Sequence, residues 1–560
     1  MPIKNIPIGQ MLLEENYITQ QQLDDVLALQ KKDPSTKLGD LLLKTGAIDE
    51  HSLMKALESH LKVPFLDLGQ TVIDRKAPAM ISEDLALKHT IIPIAITGKV
   101  LTIATSDPMN FYALDDIRLA TNMELKVVLS TPSDIKDAIG HFYSSKQAED
   151  AAAVLSRAFD NKTVLQIDDQ ICDRVDDAPV VKLVNSIITQ AASLGASDIH
   201  IEPLEARTRV RMRIDGILQD KMTLALGAHS SIVTRLKIMG NMNIAERRLP
   251  QDGRVEAVID NKAVDLRLSV LPTVTGEKVV IRILGGLGSV MSIENLGLSK
   301  ENLEIFNEIL KSPNGIILIS GPTGSGKTTT LYSILTTYNK PGVNIITVED
   351  PVEYHVSGVN QVQVNPKAGL TFANGLRSIL RQDPDIIMIG EIRDNETAQI
   401  AVRAAITGHL VLSTIHTNDA ASTISRLVNM EVEPYLVSSG IVGIIAQRLV
   451  RKICPRCRKQ YTPSDYERRL LGLSEDEFLH KGEGCHFCGQ TGYKGRTAIH
   501  EIMAITKEMR ELIDEGVTTD KLREASVRSG TVTLTESCKK LVMDGITTVE
   551  EMLKVTYNLG

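Results

Sequence analysis

At 560 residues the chain has the length of three or four ordinary domains, so a single small fold is excluded. Hydrophobic residues make up 43% and charged residues 24%, with aromatics at only 3% and no Trp, which excludes disordered, collagen-like and aromatic-rich binding proteins. The formal net charge of −8 argues against nucleic-acid binding over the whole surface and leaves room only for a local basic groove.

The opening Met1-Pro2-Ile3-Lys4-Asn5 has neither the basic nor the apolar block of a secretory signal, and no apolar run approaches the ~18 residues that span a bilayer. A cytoplasmic chain is expected, with any membrane contact peripheral. Residues 1–62 repeat with a period of about 30, since Ile8-Gly9, Leu23 and Leu27 are echoed by Leu38-Gly39, Leu53 and Leu57. Each copy predicts a short helix, a tight turn and a second helix, with the Leu stripe as core. Residues 63–145 alternate short β runs, such as Val100 to Ala104, with helical segments, and predict an α/β piece. Residues 146–178 are rich in Ala, Gln and Asp, with Asp168-Asp169 and Asp176-Asp177, and read as a linker.

A helix is expected from about Val180 to Leu194. After it, Asp198–Glu202, Arg207–Ile214, Arg254–Ile259, Ala263–Val270 and Lys278–Ile283 alternate apolar and polar residues, predicting an antiparallel α+β domain over 179–286. From 290 to 560 the pattern changes. The continuous apolar runs Ile316–Ser320, Asn344–Val348, Ile386–Ile389 and Leu410–Thr414, separated by helical stretches, read as buried parallel strands.

The chemistry begins after the first of these runs. Gly321, Pro322, Thr323, Gly324, Ser325, Gly326, Lys327 and Thr328 fit GxxxxGK[ST] between a strand and a helix expected from Thr329 onward. Glycines let backbone N–H groups converge on phosphate, and the helix N-terminus adds positive potential. Lys327 reaches the β- and γ-phosphates and Thr328 ligates Mg²⁺, so ATP with Mg²⁺ is the expected ligand pair. Glu349, Asp350 and Glu353 follow the second strand and Glu391 the third, at the carboxyl ends where open parallel sheets bind ligands. Such acids can orient water or hold metal, although any one alone is readily a helix cap. His409 and His416 flank the fourth strand; either can contact γ-phosphate or be a structural histidine.

Cys454-x₂-Cys457 and Cys485-x₂-Cys488, 27 residues apart, supply four thiolates for Zn²⁺ in an insert at about 450–492. A disulfide is disfavoured in the cytoplasm, and no thioredoxin-like pattern accompanies either pair. Cys172 and Cys538 stand alone and read as inert thiols.

These motifs carry a family resemblance. EDPVEY at 349–354, LRQDPDIIMIGEIRD at 380–394, TGHLVLSTIHTN at 407–418, ASDIHIEP at 196–203 and RLPQDGR at 248–254 resemble the type II secretion and type IV pilus ATPase family, over nearly the whole chain and in the family's order. The resemblance implies a multidomain α/β protein: a RecA-like parallel-sheet core preceded by a PAS-like α+β domain and the N-terminal repeat and α/β domains. It implies a homohexameric motor peripheral to the inner membrane, driving pilin polymerisation through a platform protein. Type II secretion is the near alternative; the tetracysteine insert resembles extension and secretion motors rather than retraction ones. A nucleic-acid translocase is disfavoured by the acidic balance and scarce aromatics, and a non-hydrolysing nucleotide-gated binder by the intact lysine, glutamate and arginine set.

Gly390 stands where P-loop proteins usually carry Asp before the catalytic Glu. Glu391 is then the expected base, with Glu353 near γ-phosphate in a role the sequence does not separate from it; Glu349, Asp350, Thr329 and His416 complete the nucleotide set. Arg267 and Arg282 resemble arginine fingers that reach a neighbour's ATP; Arg254 is weaker, and Arg209, Arg211 and Arg213 read as a solvated strand face. The N-terminal repeat resembles a cyclic di-GMP module but carries Pro7 and Lys37 where Arg is usual, Asn16 for Gly and His60 for Gln, with Gln30 kept. Loss of guanidinium stacking and bidentate contacts favours a docking role toward a cytoplasmic partner over nucleotide sensing.

Overall fold

The computed structural model describes residues 8–15, 17–32, 38–69, 71, 73–74, 76–140, 142–143, 179–259, 262–284, 291–485 and 487–556. The linker reading at 146–178, Cys172, and the substitutions at Pro7, Asn16 and Lys37 fall outside them. The chain divides into two compact units, largely the residues up to Ile283 and those from Leu284 onward. Among the described residues no helix is long and apolar enough to cross a membrane.

In the N-terminal unit the repeat forms two helix pairs, Ile8–Glu14 with Gln20–Lys32 and Leu38–Lys44 with Glu50–Leu61. Each pair has a glycine under a leucine: a Cβ on Gly9 would stand 2.9 Å from Leu23 Cδ1, and one on Gly39 3.3 Å from Leu53 Cδ2. The repeated residues are therefore the points of closest packing. A three-stranded sheet follows, ordered Ile91–Thr97, Val100–Thr105, Glu124–Leu129, antiparallel then parallel.

The helix Pro179–Ser193 packs with a six-stranded sheet in the order Ile217–Ala225, Arg207–Ile214, Ala196–Pro203, Gly276–Leu284, Lys262–Thr273, Gln251–Ile259. Its first strand was not among the five expected. Asp215 and Gly216, both with positive φ (49° and 85°), make a two-residue turn that folds it back onto Arg207–Ile214.

The C-terminal unit is built on a seven-stranded sheet ordered Asn360–Gln363, Ile345–Glu349, Ile386–Ile389, Leu410–Ile415, Gly315–Ser320, Ile441–Ile453, Tyr493–Ala504. The first six are parallel and the last is antiparallel to its neighbour. Every residue of Gly315–Ser320, Ile386–Ile389 and Leu410–Ile415 is buried, because helices cover both faces. Cys538 is buried in this core.

Candidate active site and metal centre

The strand Gly315–Ser320 runs into the loop 321–326, and the helix Lys327–Tyr338 starts from Gly326. Three loop glycines have φ between +79° and +148°. At Gly321 a Cβ would stand 2.5 Å from the Gln447 carbonyl oxygen, and at Gly326 2.8 Å from Gln447 Nε2. The loop is thus pressed against the strand Ile441–Ile453. Gln447 bridges it: Thr330 Oγ1 donates to Gln447 Oε1 at 2.7 Å, and Gln447 Nε2 donates to the Ser325 carbonyl at 3.0 Å. Beside it Arg448, 7% exposed, donates to the Asn418 carbonyl at 2.8 Å.

Lys327 Nζ donates to the carbonyls of Gly321 at 2.7 Å and Pro322 at 3.1 Å. Burial pulls its ammonium down to about 8, against the upward pull of Glu391 and with Arg448 adding to the fall. Thr328 is exposed in the first turn, as are Pro322, Thr323 and Gly324 in the loop, whereas Thr329 is half-buried. The Thr328 hydroxyl is a hard-oxygen donor of the kind Mg²⁺ takes.

Glu391 lies just past the strand Ile386–Ile389, with its side chain 14% exposed. Arg393 Nη2 is 2.6 Å from its Oε1, and His416 Nε2 is 3.6 Å from its Oε2. His416 is lowered by burial and by Lys327, against the pull of Glu391. A Cβ on Gly390 would face the adjacent strand, 3.4 Å from Glu349 Cα, so the site brings one acid, Glu391, toward the lysine. Thr414 Oγ1 donates to the Gly390 carbonyl at 2.8 Å and fixes that turn. Glu353 and Asp350 sit on the segment after Glu349, joined by a cis Asp350-Pro351 bond.

Glu349 departs from its expected role as a nucleotide contact. It is the last residue of its strand, 3% exposed, and accepts from Tyr332 Oη, from Thr347 Oγ1 at 2.6 Å and from Gln361 Nε2 at 3.2 Å. These contacts occupy both carboxylate oxygens in the core. His409 is structural as well, its Nδ1 lying 3.0 Å from the Ala404 carbonyl.

On the α+β sheet, Glu202 pairs with Arg209 at 2.9 Å, Arg211 at 2.7 Å and Lys278 at 3.0 Å; Asp198 pairs with Arg213 at 3.5 Å and Arg282 at 3.0 Å. Burial works to raise Glu202, yet Arg211, Lys278 and Arg209 hold it at about 2. The strand face read as merely solvated is therefore an ion-pair lattice. Arg282 remains 60% exposed within it, Arg267 is half-buried, and Arg254 is exposed.

Cys454, Cys457, Cys485 and Cys488 bring their Sγ atoms within 4.8 Å of one another, with Cys457 and Cys488 at 3.9 Å. Four thiolates about 2.3 Å from a tetrahedral Zn²⁺ stand ~3.8 Å apart, so the cluster fits that ion. Strand register explains the meeting: Cys454 follows Ile441–Ile453, Cys488 precedes Tyr493–Ala504, and Ile453 pairs with Tyr493. Sequence reasoning missed Gln447, Arg448 and Arg393. The first two were marked as adjacent polar residues inside an apolar run, and the third by its place two residues after the expected base.

The family described as Type II/IV secretion system protein matches residues 173–554, and the MshEN domain matches 61–149. The latter lies mainly on the α/β piece, beyond the helical repeat, and removes the support for doubting cyclic di-GMP on the strength of the repeat's substitutions. The chain is 42% identical to the type IV pilus assembly ATPase PilB of Myxococcus xanthus over 98% of both chains. It is 40% identical to the type II secretion system protein E of Xanthomonas campestris, again over 98% of both. The ATPase DotB of Yersinia pseudotuberculosis, 21% identical with a TM-score of 0.51, covers 68% of this chain with 94% of its own and shares the fold.

Proposed function

Because the chain belongs to the type II/IV secretion system protein family, we propose that it is an ATP-hydrolysing motor for type IV pilus assembly. The observation that carries this reading is the end-to-end identity with a pilus assembly ATPase, including the N-terminal region. In the reaction a water oxygen attacks the γ-phosphorus, the bridging oxygen leaves with ADP, and the water's proton passes to Glu391. The loop 321–326 cradles the phosphates and Lys327 neutralises them. Thr328 would hold Mg²⁺, which when bound offsets charge on the β- and γ-oxygens. Glu353 and Asp350 stand by as acids beside the nucleotide, with His416 orienting Glu391.

The reading extends to a homohexamer at the inner membrane in which Arg267 and Arg282 complete a neighbour's site, acting on pilin through a platform protein. The cysteine cluster holds one structural Zn²⁺, and the N-terminal region, through its MshEN match, takes cyclic di-GMP. Type II secretion is the second reading, favoured by the equally long Xanthomonas match. The test is complementation: in a strain lacking its pilus assembly ATPase the wild-type chain should restore pili, and Glu391→Gln should bind Mg-ATP yet restore none. Rescue of protein secretion in a strain lacking its secretion ATPase, without rescue of pili, would overturn the pilus reading.

A further inference from the structure

The carboxylate assigned as base is already engaged. Arg393 Nη2 sits 2.6 Å from Glu391 Oε1, while Glu391 is 86% shielded and Arg393 is 68% exposed. His416 Nε2 lies 3.6 Å from the other oxygen, and Lys327 acts on both His416 and Glu391 from the start of its helix. Three cationic or ionisable groups thus converge on one carboxylate, at the place where a γ-phosphate held by Lys327 would bring further negative charge. While Oε1 accepts from the guanidinium, one of its lone pairs is held in a charge-assisted bond and is closed to a water's proton. A phosphoryl group offers that planar guanidinium an equally good oxygen partner.

We infer that Arg393 is a positioning residue that exchanges partners: it holds Glu391 while the γ-phosphate position is empty and moves to the γ-phosphate when ATP arrives, freeing Glu391 to accept the proton. This rests on the ATPase reading and on Glu391 as its base. The exchange makes Arg393 a reader of the third phosphate. ADP brings nothing for it to move to.

The experiment measures affinity for ADP and for the non-hydrolysable imido analogue of ATP, both with Mg²⁺, in the full chain. The variants are Arg393→Gln, Glu391→Gln and the double variant. An exposed guanidinium–phosphate contact is worth up to about 1.4 kcal/mol, or a factor of ten. Arg393→Gln should therefore weaken the triphosphate analogue several-fold and leave ADP within about twofold. The loss should be larger in the Glu391→Gln background, where Arg393 no longer gives up a carboxylate to reach the phosphate. Arg393→Lys should keep part of the discrimination, and since the Arg393 side chain is exposed, neither Arg393→Gln nor Arg393→Lys should shift the melting temperature.

Equal losses for ADP and the analogue, no loss for the analogue, or losses of the same size in both backgrounds would each overturn the exchange. Failure of the underlying reading looks different: wild-type protein would not turn over ATP, or Glu391→Gln would turn it over normally.

Discussion

Gln447 is the sharpest place to test how the phosphate loop is held. It is 2% exposed and spans two buried groups, accepting from Thr330 and donating to Ser325. Gln447→Leu keeps the bulk and removes both bonds. Thr330 can turn to the Gly326 carbonyl, 3.5 Å away, so its hydroxyl loses only part of its satisfaction. The Ser325 carbonyl loses its side-chain donor inside the core. Unpaired buried polar groups cost about 1–3 kcal/mol, and with the partial rescue of Thr330 the total should fall near about 2 kcal/mol. If that cost falls wholly on the phosphate-binding conformation, the competent loop becomes rarer and ATP affinity should drop by up to about thirtyfold. Hydrogen exchange over residues 321–330 reads the loop directly, since the unfolding of so large a chain is not two-state. Exchange there should quicken while the strand Leu410–Ile415 stays protected. Unchanged exchange with unchanged ATP affinity would refute the idea that Gln447 braces the loop.

The cysteine cluster should yield about one zinc per chain by metal analysis, and Cys454→Ser with Cys457→Ser should release it and loosen residues 454–492; metal-free protein purified without chelator would refute this. Lys327 carries a second test. Its folded value of about 8 lies below the ordinary 10.5, so the fold bears a penalty that is full below pH 8 and fades as pH rises toward 10.5. A bound phosphate should restore the proton, so ATP binding at pH 8.5 should take up protons, read by calorimetry in buffers of differing ionisation heat, and Lys327→Arg should abolish the uptake. Finally, Arg282→Ala chains mixed with Glu391→Gln chains, under conditions that let protomers exchange, should regain activity if the arginine serves a neighbour; a mixture as inactive as its parents would count against it.

Much of this architecture was legible where local and tertiary demands agree. The run Ile316–Ile319 is apolar throughout because it is covered on both faces, and the glycines after it mark a place where backbone N–H groups can converge on a ligand. Ile217–Ala225 was not legible by alternation, since its residues are mostly half-exposed on an edge strand, although Asp215-Gly216 announced the turn. Ile441–Ile453 has the length and composition of a helix as readily as a strand, and its partners Gly315–Ser320 and Tyr493–Ala504, both remote in sequence, decide the matter. Glu349 misled for a related reason. A carboxylate at a strand tip looks like a ligand until Tyr332 and Gln361, remote in sequence, are seen to bond it. Ligand chemistry was written in the motifs, but the braces behind it were not, because a brace needs no special residue type, only a neighbour.

The ribbon of Ile441–Ile453 and Tyr493–Ala504 gives the molecule a lever. Its middle carries Gln447, paired with His500 and pressed on the phosphate loop; one end, six residues on or about 20 Å away, carries Ile453 and Tyr493 at the root of the four cysteines. The ladder keeps its register from Gly443 to Arg451 and shifts only before Ile453, so a movement of the loop as phosphate comes and goes should swing the cysteine tip, and a metal seated there would serve as a distant gauge of events at the nucleotide.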